Sequence, residues 1–399
     1  MPKQPLKKNS TTKMGSLSAF KSKLGLTSDN LNTSNANKPL SWIIMPPAFC
    51  EATKLPGICC GYVNNTLGHS NVGKSTLVNH AITSHQRAGG IPVIIDTENN
   101  FSFEYAINMG FKADPIYGEV DVEKTDPETG EISYVKEKQI INYEGNFLYF
   151  NNNILKELYG NIDYSKGTKT KEKRSQAVIE DVAYCINELL DAQENGEIQA
   201  DLLFVWDSVG SISCFKEYSS GKIGNSMWNA QSIAQSFQNI VNERIPGSRK
   251  ISSPYTNTLL CVNKIWLDSM SNPVGPPSVK RKGGNSLYYA TRCEFFLGGK
   301  LTSATKRLTA TSKGYTYTYG IETKIKIEKN QLDNPYNLTS EGKMIATSFG
   351  FIKPDEIEEF KKNNMKQILE ELNKMAEGKD VISEEDITFE TQEEDGSED

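Results

Sequence analysis

The stretch Gly68-His69-Ser70-Asn71-Val72-Gly73-Lys74-Ser75 decides how this 399-residue chain is read. It fits G-x-x-x-x-G-K-[ST] at every specified position. Its flanks supply the context the pattern requires, because Ile58–Leu67 reads as a β-strand and Thr76–Arg87 as a helix closed by Gly89-Gly90. Gly68 and Gly73 let the backbone turn tightly, so that the N–H groups of His69, Ser70, Asn71 and Val72 point at phosphate oxygens. The helix start at Lys74, Ser75 and Thr76 adds a favourable partial charge. Lys74 is expected to neutralise the β- and γ-phosphates of a nucleotide, and the Ser75 hydroxyl to ligate Mg²⁺.

Working outward, Ile91–Asp96 reads as a short apolar strand and Phe101–Met109 as a helix closed by Gly110. Ala177–Ala192 is an amphipathic helix through Val178, Val182, Ile186, Leu189 and Leu190. The strand Leu202–Trp206 ends at Asp207, a helical pattern covers Trp228–Asn242, and Thr258–Val262 is a further strand. Residues 265–286 read as a long loop, and two or three more strands fall in 291–329, Thr323–Lys329 among them. Strands alternating with helices predict an α/β fold with a mostly parallel central sheet flanked by helices. Residues 113–175 break the rhythm and read as an insertion carrying a hairpin. The expected organisation is a flexible basic arm (1–40) with a short docking helix near Leu17–Leu26, a core (41–335), a small helical C-terminal region (336–380) and a disordered acidic tail (381–399).

The formal net charge of −6 argues at first against nucleic acid, whose phosphates draw on Lys and Arg. Its distribution removes that objection. Residues 1–40 carry seven lysines against one aspartate, residues 355–399 five lysines against seventeen acids, and the remainder 32 of each sign. The surplus acid is a tail, which could compete with DNA for basic loops. The seven cysteines are odd in number and form no CxxC pair, so they read as reduced core residues of a cytosolic protein. No run of about 18 apolar residues suggests a membrane span, and His80 and His85, five apart, make no metal pair.

Two carboxylates complete the expected site. Asp207, at the C-terminal end of an apolar strand, stands where open α/β sheets place ligand groups and would hold Mg²⁺ through water. Glu98, just beyond Ile91–Asp96, would orient and activate the attacking water, the role that separates a hydrolase from a passive nucleotide binder.

In their order along the chain, the glycine-rich loop, Ile95-Asp96-Thr97-Glu98, Val205-Trp206-Asp207-Ser208, Leu260-Cys261-Val262-Asn263 and Gly283-Gly284-Asn285-Ser286-Leu287 resemble the RecA-type homologous recombinases. The insertion and tail make the resemblance greatest to the divergent bacteriophage, UvsX-like form. The resemblance covers roughly 40–335 without the insertion. It implies a DNA-dependent ATPase using ATP and Mg²⁺, a helical homo-oligomeric filament on single-stranded DNA, and pairing with a homologous duplex. It also implies single-strand-binding and mediator proteins as partners, no membrane, and a cytoplasmic location, that of a bacterial host for a phage form. Residue by residue, it implies that Tyr105 stacks on adenine, with Ser102 where the family has Asp. The first DNA-binding loop would carry Lys222, Asn225 and Met227. Asn263 and Lys264 would sense the γ-phosphate, with Lys264 where the family has Gln. Lys329 would reach the ATP of the adjacent subunit, with Gln331 in place of a second lysine.

Lys280, Arg281 and Lys282, ahead of Gly283, Gly284 and Asn285, form a cationic cluster suited to a single-stranded phosphate backbone. Two rival readings share the phosphate site. They are a hexameric RecA-fold helicase, for which residues 1–40 are too short and polar to be the primase-binding domain, and a weakly hydrolysing recombination mediator, which the departures at Lys264 and Gln331 keep open.

Overall fold

A computed structural model describes residues 22, 23, 25, 37–125, 132–221, 226–268, 278–281, 284–300, 305–376 and 381–393. The chain divides into two units, Met1–Lys38 and Pro39–Asp399, and the fold lies in the second. The expected helix near Leu17–Leu26 falls, apart from residues 22, 23 and 25, outside the described residues.

β1 (Trp42–Ile44) pairs with β2 (Gly57–Cys59) as a small antiparallel sheet. β3 (Val63–Gly68) leads through the glycine-rich loop into the helix Lys74–Arg87, and β4 (Ile91–Asp96) into the helix Phe103–Asn108. β5 (Asp114–Thr125) and β6 (Ile132–Glu144) form a two-stranded sheet of their own. β7 (Leu148–Asn151), the helix Asn152–Tyr159, and the short pair β8 (Ile162–Asp163) and β9 (Thr168–Lys169) lead to the helix Ile179–Glu194 and β10 (Leu202–Asp207). After the helices Phe215–Ser220 and Ser226–Ser236 come β11 (Thr258–Asp268), β12 (Ser278–Arg281), the helix Gly284–Ala290 and β13 (Thr291–Leu297). β14 (Lys306–Ser312), β15 (Tyr315–Asn330), β16 (Glu341–Thr347) and β17 (Gly350–Ile352) precede the helices Ile357–Asn363 and Met365–Met375, and β18 (Thr388–Glu393) follows them.

The twelve-stranded sheet runs in the order β17-β16-β15-β13-β3-β11-β10-β4-β7, with β14 added beside β15, β18 beside β14, and β12 beside β11. From β13 to β7 the pairings are parallel, and beyond β13 they turn antiparallel. Parallel strands covered on both faces must be apolar on both. On β4 and β10, Val93, Ile95, Phe204 and Trp206 face one buried cluster, with Leu155, Ile186 and Phe237, while Ile94, Leu203 and Val205 face another, with Phe49, Leu77 and Ile82. Register then fixes the site. Asp96 pairs with Asp207, Asp207 with Val262, and Lys264 with Gly68, so the C-terminal ends of β4, β10 and β3 lie beside the point where the parallel pairing of β11 stops.

Ile91–Asp96 and Leu202–Asp207 stand as the sequence predicts, and the α/β class with its large, mostly parallel sheet is observed. Several expectations need correction. The segment 113–175 is not wholly an insertion: Leu148–Asn151 joins the core sheet beside β4, and Leu155 behind it is fully buried. The long loop 265–286 is partly a ribbon, because β11 runs on to Asp268 and β12 folds back on it. Residues 336–380 are not only helical, since β16 and β17 extend the main sheet. The tail is not disordered from residue 381, because β18 pairs with β14 along six residues, with Phe389 edge-on to Tyr319. The strand read as Ile58–Leu67 is split at Gly61, whose φ is +76°. All seven cysteines are free thiols.

Candidate active site

The loop is shaped by its two specified glycines. Gly73 caps the helix Lys74–Arg87 at a φ of +93°, a left-handed conformation that a side chain would strain. Gly68 has no room for one, since a Cβ there would lie 2.5 Å from the Leu297 carbonyl oxygen. Inside this loop Lys74 is buried, and its Nζ donates to the carbonyls of Gly68 (3.0 Å) and His69. Burial pushes the ammonium down to about 8, against the pull of Asp207. Of the other loop residues, Val72 is a core side chain with no exposure, and His69 turns its ring to the Lys300 carbonyl at 3.2 Å.

A cavity of about 580 Å³ opens above the loop, lined by Ser70, Asn71, Gly73, Lys74, Ser75 and Thr76 on one side and by Glu98, Tyr105, Asp207 and Lys264 on the other. Residues far apart in the chain thus meet as the register requires. Asp207 is pushed up to about 7 by burial, reinforced by the nearby acids Glu98 and Asp96. A divalent cation would relieve that repulsion, and hydroxyl and carboxylate oxygens such as those of Ser75 and Asp207 suit Mg²⁺. The donor set therefore fits the ion.

Glu98 is held from several directions. Asp96 shapes its loop: Oδ1 accepts from the N–H of Glu98 (3.1 Å) and of Asn100 (3.2 Å), Oδ2 from the N–H of Phe101 (2.9 Å) and the Tyr149 hydroxyl (3.0 Å). The Glu98 carboxylate accepts from Ser208 Oγ and pairs with Lys264 Nζ at 2.7 Å. Burial acts to raise its pKa, but Lys264 and Ser208 outweigh it and hold the group below the ordinary carboxylate range. In the sequence Asp96 and Ser208 stand only as members of longer motifs, although an Asp at a strand end followed by a turn is the pattern of an Asx turn.

Tyr105 forms part of the outer wall, which β15 and β16 complete with Gly320, Ile321, Ala346 and Thr347. Its hydroxyl donates to the Thr347 carbonyl (2.9 Å) and accepts from Thr76 Oγ1 (2.7 Å), and burial pushes it up to about 12. The ring is thereby fixed between the loop helix and the antiparallel part of the sheet.

Other expected site residues lie away from the cavity. Asn263 is buried and donates to Asn65 Oδ1 (2.9 Å), Asn65 donates to Glu294 (3.1 Å), and Arg281 closes this line as an ion pair with Glu294, which is 1% exposed. Arg281 is thus paired with Glu294 while its side chain stays one third exposed. Lys329 Nζ donates to the carbonyls of Tyr288 (2.5 Å) and Tyr289 (3.2 Å), a cationic cap on the last turn of Gly284–Ala290. Lys280 stands opposite Trp266 on the β11–β12 ribbon, and Met227 and Asn285 are exposed. Gly284 opens its helix at a φ of +65°, where a Cβ would meet Ala230. Lys222, Asn225, Lys282 and Gly283 lie outside the described residues.

The fold and this placement of the loop define an α/β protein whose large, mostly parallel sheet is consistent with a RecA-like core. Over one segment the chain is similar to proteins named RecA. It is 36% identical over 66 residues to Protein RecA of Campylobacter jejuni subsp. doylei and to that of Aquifex pyrophilus, covering 16% of this chain and 19% of each relative. It is 36% identical over 80 residues to Protein RecA of Clavibacter michiganensis, covering 20% of each chain. The chain thus matches about a fifth of the length of these curated relatives. No family model matches it. Among the described residues no helix is long and apolar enough to cross a membrane.

Proposed function

We propose that this chain is a DNA-dependent ATPase of the homologous-recombination type, assembling as a helical filament on single-stranded DNA and promoting pairing with a homologous duplex. The observation that carries the reading is the meeting of Lys74, Ser75, Glu98 and Asp207 in one cavity at the ends of adjacent parallel strands. Lys74 would exchange two loop carbonyls for phosphate oxygens. Glu98, held by Asp96 and Ser208, would orient the attacking water. Ser75 and Asp207 would hold Mg²⁺, which when bound neutralises charge on the β- and γ-phosphates. Tyr105 would pack against the base.

The similarity to proteins named RecA supports the recombination reading, and the exposed Trp266 opposite Lys280 puts an aromatic beside a cation, as single-strand binding uses. Lys222, Asn225, Met227, Lys280, Arg281, Lys282, Gly283, Gly284 and Asn285 would form the DNA-facing loops. In a filament Lys329 would leave its carbonyls for the neighbour's nucleotide. A UvsX-like phage form acting in a bacterial host's cytoplasm rests on the long inserted ribbon and the acidic tail. One observation favours a second reading, a weakly hydrolysing mediator: Glu98 is already paired with Lys264.

The test uses purified full-length protein with circular single-stranded DNA and a homologous duplex. DNA-stimulated ATP hydrolysis and joint molecules are expected, both lost in Lys74→Ala. Hydrolysis without joint molecules refutes the recombinase, and no hydrolysis at all favours the mediator.

A further inference from the structure

Both oxygens of the Glu98 carboxylate are occupied. Oε1 accepts from Ser208 Oγ, and Oε2 accepts from Lys264 Nζ at 2.7 Å with Asn100 Nδ2 at 3.4 Å. These donors do not fill every lone pair, but an ion pair stabilises the carboxylate in its ionised form and so weakens it as a general base. Its partners differ in how firmly they are held. Ser208 is 2% exposed, on the chain leaving β10. Lys264 extends from β11 on a flexible stem, its side chain 52% exposed against 13% for Glu98. Lys264 is therefore the partner that can leave.

The cavity supplies a reason for it to leave. Lys264 lines the same space as Lys74 and the loop that would hold a terminal phosphate. A γ-phosphate carries more charge than one carboxylate, and attraction at a given distance scales with that charge. The inference rests on the ATPase reading above and adds a regulation to the same site. We propose that Lys264 is a latch: with no phosphate present it ties up Glu98, and when a γ-phosphate arrives it transfers to that group and frees the base. Water activation is then confined to the state in which there is a phosphate to attack. The other charged groups that bear on this exchange are Lys74, Asp207 and Asp96.

The pH dependence of full-length wild type and Lys264→Met tests the latch. The acid limb of kcat/KM reports the free protein and that of kcat the nucleotide complex. In wild type the kcat/KM limb should lie below the kcat limb, because the Lys264 ion pair favours the ionised carboxylate in the free protein. In Lys264→Met it should rise to meet the kcat limb. Limbs that already coincide in wild type, or that do not move in the variant, overturn the latch. A binding measurement serves if wild type hydrolyses no ATP, an outcome that sinks the ATPase reading by itself. Glu98→Gln should tighten ATP binding more in wild type than in Lys264→Met, by about fivefold, the upper end for an exposed pair. Equal gains in both backgrounds overturn the latch whatever the turnover.

Discussion

Acidification from pH 7 to pH 5 should loosen the contact between the loop helix and the β16–β17 turn, through His80. Its Nε2 accepts the Phe351 N–H at 2.8 Å, and its ring stacks on Phe351 with centroids 5.4 Å apart. Gly350, at a φ of +115°, leaves space for the imidazole: a Cβ there would lie 2.4 Å from Nε2. Protonation would turn that acceptor into a donor facing another donor. Burial, helped by the charge of Arg87, pushes His80 down from 6.5 to about 4. The unfolded chain therefore takes up a proton near pH 6.5 and the folded chain only near pH 4. Between these values the unfolded state binds more protons, so stability is complete above 6.5 and falls as pH drops toward 4. At pH 5 the loss works out at about 2 kcal/mol.

His80→Gln keeps an acceptor without the titration. Urea unfolding of both proteins at pH 7 and pH 5 cancels the carboxylates and His85, which titrate in each. The wild-type advantage over the variant should shrink by about 2 kcal/mol, with a lower protection factor for the Phe351 amide in wild type at pH 5 than at pH 7. A difference constant within about 0.5 kcal/mol refutes the reasoning.

Three further outcomes follow from the fold. Glu294→Leu leaves the buried Asn65 amide without its acceptor and the partly exposed Arg281 without its partner, and should cost about 1–3 kcal/mol in chemical denaturation. Ending the chain at Ile387 removes β18 and parts Phe389 from Tyr319, which should lower stability by about 2 kcal/mol in thermal melts. Ending it at Glu393 should leave melting unchanged and, if the acidic end competes with DNA, tighten duplex binding at low salt.

The parts that sequence reveals are those governed by local rules. β4 and β10 are apolar on both faces and end in acids, and a fully specified glycine loop between a strand and a helix admits one geometry. Leu148–Asn151 escaped notice because four residues carry too little pattern to tell a core strand from a loop. β12 was hidden by the Pro- and Gly-rich segment before it, and β18 by its acid content, since its pairing is decided by β14. For Lys264 and Lys329, sequence supplied the position but not the partner. A flexible cation pairs with whatever the tertiary fold brings near, here Glu98 and two helix-end carbonyls.

The ribbon of β5 and β6 is rooted where Phe103 stacks on Tyr143 at 4.4 Å, five residues along the chain from Glu98. Such a ribbon converts angle into distance. Its twelve-residue strand reaches about 40 Å, so a tilt of about 5° at the root would carry Thr125 and Ile132 some ~3.5 Å sideways. A rearrangement too small to change any contact around the cavity would thus be legible at the far end of the ribbon, where a fluorophore pair could read it as a ruler reads a vernier.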